Sequence, residues 1–489
     1  MAADLRSFLD RVRAETGDLV EIDRPVRPHE FEVTALLKQL EDKGRYPAVL
    51  FRHPTDMYGN ASPFPLLTNL YATRERCAVM LGVDPATPNW EVSLAFARKS
   101  KEQLAPVAVP ARAAPVQENV WRGKDADVGR LPMVRHFEMD FGPVITMTHV
   151  MRSLEGHYNV SFAKTFYKRD PHEMVVSLHT RDNTRIVREH ERAGKPTRIV
   201  NVLGHHPAFH LGSVARNDWG VDDYATLGAF VGEPLRLAPS VTWGDEFMVP
   251  ADADLVIEGE LPPGRKDVCD PFGEVARLYQ AQCLRPVLEV KAITFRDGAV
   301  MQDIFSGFRD SNPFGAILKE GHLWNVLHGR FPNLHQISTP DSSCGVYAAY
   351  VSMKDIEPGQ AQEIGRLILE AFIVIQCVIV VDADIDVFDE KQVLWAFHTY
   401  TNLEKGFQTA GNWERARHVR HAGEGSGKAP QSGFATSNWG ARAVIDATRP
   451  KDFAFGLRSE IPAATMARVR LEDYLLPGTV SSRVPVGAK

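Results

Sequence analysis

The sequence predicts a multidomain α+β and α/β protein: a β-rich middle built as a barrel or strongly curved sheet, with an α/β unit on either side of it. Three observations predict this. Helical spacing alternates with short extended runs over the first hundred residues, a succession of short β-rich runs separated by turn signals follows, and the last large region returns to amphipathic helices around a nearly continuous apolar strand. At 489 residues the chain is too long for one ordinary core, so several domains of roughly 100–200 residues are expected.

Leu5, Phe8, Leu9 and Val12 recur at helical spacing, as do Val33, Leu36, Leu37 and Leu40, with extended runs at Leu19–Ile22 and Ala48–Phe51. Leu67–Gly82 reads as a strand running into a helix that Gly82 closes. From Leu104 to Pro115 the chain is alanine, valine and proline without clear period, a linker or an extended crossover, and a boundary is placed near residue 118. The β-rich runs are Val144–Val150, Tyr158–Tyr167, Met174–His179 and Arg198–Gly204, interrupted by a helical pattern over Asp222–Val231; Val287–Phe295 then alternates before an Arg-Asp-Gly turn. Phe305–Ala316 is a polar, glycine-containing loop able to close over a ligand. Pro358–Ile375 is amphipathic, Cys377–Asp384 is an apolar strand ending in acids, and Asp389–Thr399 is a further helix. Gly423–Gly440, rich in glycine, serine and asparagine, separates that domain from a tail whose Ile461–Leu476 is expected to form a helix docking on another subunit. The expected domains are 1–118, 119–315, 316–425 and a tail, 426–489.

A net charge of −6 sets up no field that favours nucleic acid or an anionic membrane, which leaves small partners of mixed sign. The cysteines at 77, 269, 283, 344 and 377 are odd in number and form no CxxC pair, which argues against a disulfide framework or structural zinc and fits a reducing compartment. Charges interrupt the first ten residues where a signal peptide needs an apolar core, and no run of eighteen apolar residues follows. A soluble, cytoplasmic protein is expected.

The chemistry centres on Cys269-Asp270-Pro271-Phe272-Gly273-Glu274. A Pro-x-Gly turn fixes the backbone, so that the carboxylate closing it can be aimed; Glu274 is the leading candidate for a catalytic acid. A second set comprises the strand Asn159–Lys164, the segment His179–Asp182 and Asp223 at the start of a helix. An amide oxygen, an imidazole or carboxylate, and a second carboxylate form a hard donor set suited to Mg²⁺ or Mn²⁺, above all where phosphate oxygens complete the shell. The bland alternative for His179 is a strand-end residue bound to backbone. Cys269 is either a nucleophile or a buried structural thiol, and the acids after Val381 either bind magnesium or serve as caps and turns.

Asn69-Leu70, Thr73–Arg76, Leu81-Gly82, Asn159–Ser161, Leu203-Gly204 with Pro207, Val249–Gly259 and Asp270–Glu274, continuing through Val380–Val387, Trp395–Phe397 and Ile445–Thr448, resemble the UbiD decarboxylase family over nearly the whole chain. The Val249–Ala253 motif followed by the Asp270–Glu274 turn is the most specific part. The resemblance implies a flavin-reductase-like split β-barrel carrying the cofactor, flanked by an N-terminal α/β region and a C-terminal α/β domain. It also implies prenylated FMN, supplied by a separate flavin prenyltransferase, with Mn²⁺ (or Mg²⁺) and K⁺ at its phosphate, a homodimer or homohexamer, and reversible, non-oxidative decarboxylation of an aromatic, heteroaromatic or α,β-unsaturated acid with release of CO₂.

Carried over by position, Asn159 and Asp223 match metal ligands that also hold the cofactor, and Ser213 matches a phosphate contact. Asp182, preceded by Arg181, or alternatively His179, falls at the middle ligand. Ser161, Phe162 and Lys164 lie on the cofactor strand. Where the family presents an Arg, a Glu and a closing acid, this chain has Lys164, Cys269 and Glu274. Lys164 keeps the charge but loses the planar fork that contacts two acceptors together, and Cys269 supplies no carboxylate. A catalytically impaired, cofactor-binding accessory subunit of a multi-component carboxylase is therefore the second reading, and flavin-free, metal-dependent hydrolysis at Asn159 and Asp223 the third. Arg442 stands where relatives often have Lys and reads as structural or interfacial. Phe308, Phe314, Trp324 and Ile337–Tyr347 are candidate pocket walls.

Overall fold

A computed structural model describes residues 3–178, 182–269, 271–280, 282–372, 374–410, 442–451, 454–456 and 458–474. The first helix, Leu5–Glu15, buries the four apolar residues its period selects, and Asp4 and Ser7 cap it reciprocally. Behind it Leu19–Ile22 runs parallel to Ala48–Phe51, which pairs antiparallel with Leu66–Thr68. The fourth strand of this sheet is Met301–Gln302, parallel to Leu66–Thr68. The N-terminal unit is thus completed by a segment more than two hundred residues away, which locks it to the middle domain.

The middle domain is a closed antiparallel barrel. Its strands follow in the order Leu255–Leu261, Thr197–Gly204, Val144–Arg152, Tyr158–Tyr167, Glu173–Ser177 and Cys283–Phe295, and the last pairs back onto the first. Each strand of the ring therefore has a paired neighbour on both sides over at least part of its length. The region predicted as a linker or crossover is an extended crossover: Val107–Ala108 runs parallel to Arg236–Ser240, and the amides of Val107 and Val109 donate to Leu235 and Leu237, each at 2.8 Å. Asn119–Arg122 then adds to Cys283–Phe295.

One barrel position carries a pH prediction. His149 is fully buried, its Nε2 lies 2.6 Å from Thr165 Oγ1, and Asn201 Nδ2 donates to the same hydroxyl at 3.1 Å. Burial pushes this imidazole down to about 3, so it is neutral in the fold. The unfolded chain protonates it below its ordinary value, so the stability it contributes is present above pH ~6.5 and is lost as the pH falls. Between pH 6.5 and 5 that loss is about 2 kcal/mol. Urea unfolding of wild type and His149→Gln should show their stability difference shrinking by that amount over the window; parallel pH curves would refute it.

In the C-terminal domain Leu334–Ser338, Ala348–Met353, Cys377–Asp382, Arg442–Asp446 and Phe407–Ala410 form one sheet in that order. Arg442–Asp446, parallel to Cys377–Asp382, belongs to this sheet and not to a tail. The expected boundary at 425/426 falls inside the domain, because a glycine-rich stretch marks a break in periodicity and says nothing of the strand that returns after it. Arg442 is structural: 1 % exposed, it donates to the carbonyls of Leu369, Phe372 and Ile375 at 2.6–3.0 Å and so closes the helix Gln360–Ala371. The acids after Val381 hold turns, Asp382 accepting from Arg449 N and Asp386 from Phe388 N. The expected C-terminal helix is shorter, Ala463–Arg468. Among the described residues no helix is long and apolar enough to cross a membrane.

Candidate active site

Glu274 follows Gly273 in the turn, and the tertiary structure brings Lys164 to it. Strand Tyr158–Tyr167 points Lys164 toward the turn, and Lys164 Nζ forms an ion pair with Glu274 Oε1; the two side chains are only 7 % and 10 % exposed. The ammonium also lies 4.7 Å from the centre of the Phe272 ring.

The turn is pinned from two sides. Asp140 Oδ1 accepts from Gly273 N at 2.9 Å, while its Oδ2 accepts from His136 N at 3.1 Å and Phe137 N at 2.9 Å. A side chain at 273 would overlap the Phe137 ring, which explains the glycine. On the other side Arg277 Nε donates to Gly307 O at 2.5 Å. Gly307 has φ +77°, and a Cβ there would lie 2.7 Å from Glu274 O. The loop expected to close over a ligand is instead fixed. Asp310, buried at 1 % exposure, accepts from Asn69 N, Tyr71 N and Phe305 N at 2.9–3.1 Å and ties this loop to the N-terminal sheet. Burial raises its carboxyl to about 6, against those three amides.

Three groups near the turn have no signature in the sequence. His136 Nε2 lies 2.9 Å from Asp303 Oδ2, both buried, and Asp140 completes the group. Burial favours the neutral ring, but the Asp303 carboxylate outweighs it and holds His136 above its ordinary value. Phe137, Phe305 and Phe308 stack beside it, Phe305 on Phe308 at 4.5 Å. Of the proposed wall residues, Phe308 lies in this stack. Phe314 meets Phe162 and Tyr71 edge-on, while Trp324 is packed in the C-terminal core against Trp90 and His328.

Cys269 is fully buried among Val144, Phe166, Val175, Phe272 and Val287. These neighbours suit a packed thiol.

A second centre lies at the other end of the Lys164 strand. Asn159 Nδ2 donates to Asn183 Oδ1 at 2.5 Å, and Asn183 Nδ2 to Ser161 Oγ at 2.5 Å. Asp223 accepts from Val160 N and from Asn217 Nδ2, each at 2.7 Å. Ser213, buried, donates to His210 O at 2.7 Å at the end of helix Pro207–Gly212. Burial drives the Asp223 carboxyl up to about 7, with Asp222 and Asp182 adding in the same direction. Among the described residues, no ion pair includes Asp182, Asp222 or Asp223. Asp223 is thus a half-buried carboxylate held by neutral donors, an oxygen ligand of the hard type, although among the described residues no three His, Cys, Asp or Glu side chains come together as a metal site. His179, Arg181 and Asp270 lie outside the described residues.

Asn159 and Lys164 lie five positions apart, about 17 Å of strand. The register is unbroken, so Asn159 and Ser161 fall on one face and Phe162 and Lys164 on the other. Glu173–Ser177 pairs with this strand only over Lys164–Tyr167, which leaves the edge of 158–163 on that side without a paired strand among the described residues.

Of the stretches that carry the resemblance, Val249–Gly259 has acids with structural contacts. Glu258 accepts from Ser240 Oγ, Val241 N and Thr242 N at 2.7–3.1 Å. Asp254 accepts from Val300 N at 2.9 Å, and a Cβ on Gly204 would lie 2.8 Å from its own.

Models of three domains match in order: the 3-octaprenyl-4-hydroxybenzoate carboxy-lyase N-terminal domain over residues 11–96, the Rift-related domain over 107–308 and the C-terminal domain over 313–447. Among solved structures, an evolved dimeric form of the UbiD-class enzyme HmfF from Pelotomaculum thermopropionicum in complex with prFMN superimposes with a TM-score of 0.82 at 27 % identity, covering 97 % of this chain and 100 % of that one. The 3,4-dihydroxybenzoic acid decarboxylase of Enterobacter cloacae shares the fold with a TM-score of 0.79 at 23 % identity, over 95 % and 99 %. Sedimentibacter hydroxybenzoicus vanillic acid decarboxylase in its open form shares it with a TM-score of 0.78 at 23 % identity, over 96 % and 98 %. With all three domains matched in order, the chain belongs to the UbiD family of carboxy-lyases.

Proposed function

We propose that the protein catalyses reversible, non-oxidative decarboxylation of an aromatic, heteroaromatic or α,β-unsaturated carboxylic acid with prenylated FMN. The observation that carries this reading is the buried Lys164–Glu274 pair at one end of an open-edged strand whose other end lies beside Asn159 and Asp223, a carboxylate with no ion pair among the described residues. Asn159, Asp223 and Asp182 or His179 would hold Mn²⁺ (or Mg²⁺), with K⁺ nearby, against the cofactor phosphate, joined by Ser213 and Arg181. Ser161, Phe162 and Lys164 would border the flavin. When bound, the prenylated flavin supplies the electron sink for loss of CO₂.

The chain's own residues do the rest. Lys164 steers the substrate carboxylate by charge, at the cost of the orientation an Arg fork would impose. Phe137, Phe305 and Phe308 present apolar faces that exclude water beside the turn. As Lys164 turns from the pair to the substrate carboxylate, Glu274 takes up a proton from solvent, which it delivers to the carbon that has lost its carboxylate. Cys269 takes no part as a nucleophile in this scheme; it fills the core under the turn. The accessory-subunit reading rests on Lys164 and Cys269 replacing the family's Arg and Glu, and the intact ion pair favours the enzyme over it. An exposed run, Ile461, Met466, Leu471 and Tyr474, supports assembly into a homodimer or homohexamer.

The test is coexpression with a flavin prenyltransferase. The purified protein should carry a modified flavin, identified by absorbance spectrum and the mass of the extracted cofactor, and should release CO₂ from a member of a panel of aromatic and heteroaromatic acids. Turnover that requires metal yet persists without any flavin would replace this reading with hydrolysis. Activity that appears only after Lys164→Arg and Cys269→Glu would replace it with the accessory subunit.

A further inference from the structure

The turn that carries Glu274 is the loop of a hairpin whose two base residues are both cysteines. Lys266–Cys269 pairs antiparallel with the start of Cys283–Phe295, in a register that runs from Lys266 opposite Pro286 to Cys269 opposite Cys283. Residues 270 to 282, Glu274 among them, form the connection between the two thiols. Directly opposed residues of an antiparallel ladder share a face, with Cα atoms ~4.5–5.5 Å apart. That spacing lies inside the ~4.4–6.8 Å window a disulfide spans.

We infer that Cys269 and Cys283 form a reversible redox site, a cross-strand dithiol that closes to a disulfide across the base of the Glu274 hairpin. The two thiols have complementary placements. Cys269 is fully buried in an apolar cluster, whereas Cys283 is half-buried, with exposed Gln282 and Leu284 on either side. Cys283 is therefore the sulfur that a small oxidant reaches, and Cys269 the resolving one. The remaining cysteines are poorer candidates by placement: Cys77 is fully buried in the helix Arg74–Met80, and Cys344 lies outside the strands. In the register of the described strands, Cys377 faces Ala348 and Ala443.

With hydrogen peroxide as oxidant, the Cys283 thiolate attacks one peroxide oxygen, the O–O bond breaks, and the departing hydroxide takes a proton to leave as water, giving a sulfenic acid. The Cys269 sulfur then attacks the Cys283 sulfur, the S–O bond breaks, and a second water leaves with the Cys269 proton. The two thiols lose two electrons and the peroxide gains them. A dithiol reductant reverses the bond by exchange. Once closed, the disulfide tethers both ends of the segment that places Glu274 beside Lys164, so the site is positioned to couple oxidation to the freedom of that carboxylate.

The experiment titrates the purified full-length protein with hydrogen peroxide, blocks remaining thiols with an alkylating agent in denaturant, and maps peptides without reduction. The expected result is loss of two alkylatable thiols per chain and a cross-linked peptide joining Cys269 to Cys283, reversed by dithiothreitol. In Cys283→Ser the loss at Cys269 should disappear, and in Cys269→Ala Cys283 should stop at the sulfenic acid or a higher oxide. The second variant keeps the test open if the first folds poorly. The inference is overturned if both thiols stay alkylatable while Cys344 or Cys377 reacts. It is equally overturned if Cys283 links to another chain, or if Cys269 is still consumed in Cys283→Ser. None of these readouts depends on decarboxylase activity, so they fail or succeed independently of the proposed function.

Discussion

Glu274→Gln should lower kcat by about 10²–10⁴-fold, the range a positioned general acid contributes, while leaving the flavin bound. Glutamine has the same shape and still offers Lys164 an acceptor oxygen, so the geometry of the turn survives. What it lacks is a transferable proton. The bonds that hold the turn, Gly273 N donating to Asp140 Oδ1 and Arg277 Nε donating to Gly307 O, do not involve the Glu274 side chain. The proposed cation and phosphate end lies about 17 Å away along the strand, so cofactor occupancy, read from the absorbance spectrum, should be near that of the wild type. Single-turnover kinetics with a substrate that the wild type decarboxylates provide the measurement. Full activity in this variant would remove Glu274 from the acid role.

Lys164→Met should destabilise the protein by about 3–5 kcal/mol, the cost of stranding one member of a buried ion pair. Both side chains are nearly excluded from water, so the carboxylate left behind has neither solvent nor counter-charge. Adding Glu274→Gln to Lys164→Met removes the stranded charge, and the double variant should regain most of the loss. Equilibrium urea unfolding of the wild type, both single variants and the double variant closes the cycle. A Lys164→Met variant within about 1 kcal/mol of wild type would place the pair among solvated surface contacts and contradict the burial on which the site is built. The same cycle bears on why the pair is kept. Methionine and glutamine pack at little cost, so a double variant as stable as the wild type would assign the ion pair to chemistry and not to folding.

Much of the site is legible in the residues. The Pro271–Gly273 turn and its closing acid are visible because a turn is local: proline fixes one dihedral, and glycine admits the Phe137 ring against its backbone. The metal-type donors at Asn159 and Asp223 are visible as residue types, and the likeness of their spacing to the UbiD family singles them out. His136, Asp140 and Asp303 are not visible. His136 meets Asp303 across 167 positions of chain, and neither residue belongs to a short motif. Resemblance also brought in Lys164 as part of the network, but its contact with Glu274, 110 residues on, is set by the barrel. The Phe305–Ala316 loop shows the opposite failure. Its polar, glycine-containing composition suggests mobility, yet Asp310 spends its carboxylate on three backbone amides and holds the loop in place.

By itself the sequence determined the alternation of helices and strands, the three-part α/β, barrel and α/β order, and a rigid turn ending in one acid. Each follows from local periodicity or from the fixed dihedrals of proline and glycine, which act within a few residues. Only the tertiary structure decided that Met301–Gln302 completes the N-terminal sheet, that Arg442–Asp446 joins the C-terminal one, that Lys164 and Glu274 are buried together, and that Cys269 faces Cys283. A period of two states which face of a strand is apolar, but it does not name the strand alongside. That choice is made by burial and by hydrogen bonding between segments far apart in the chain.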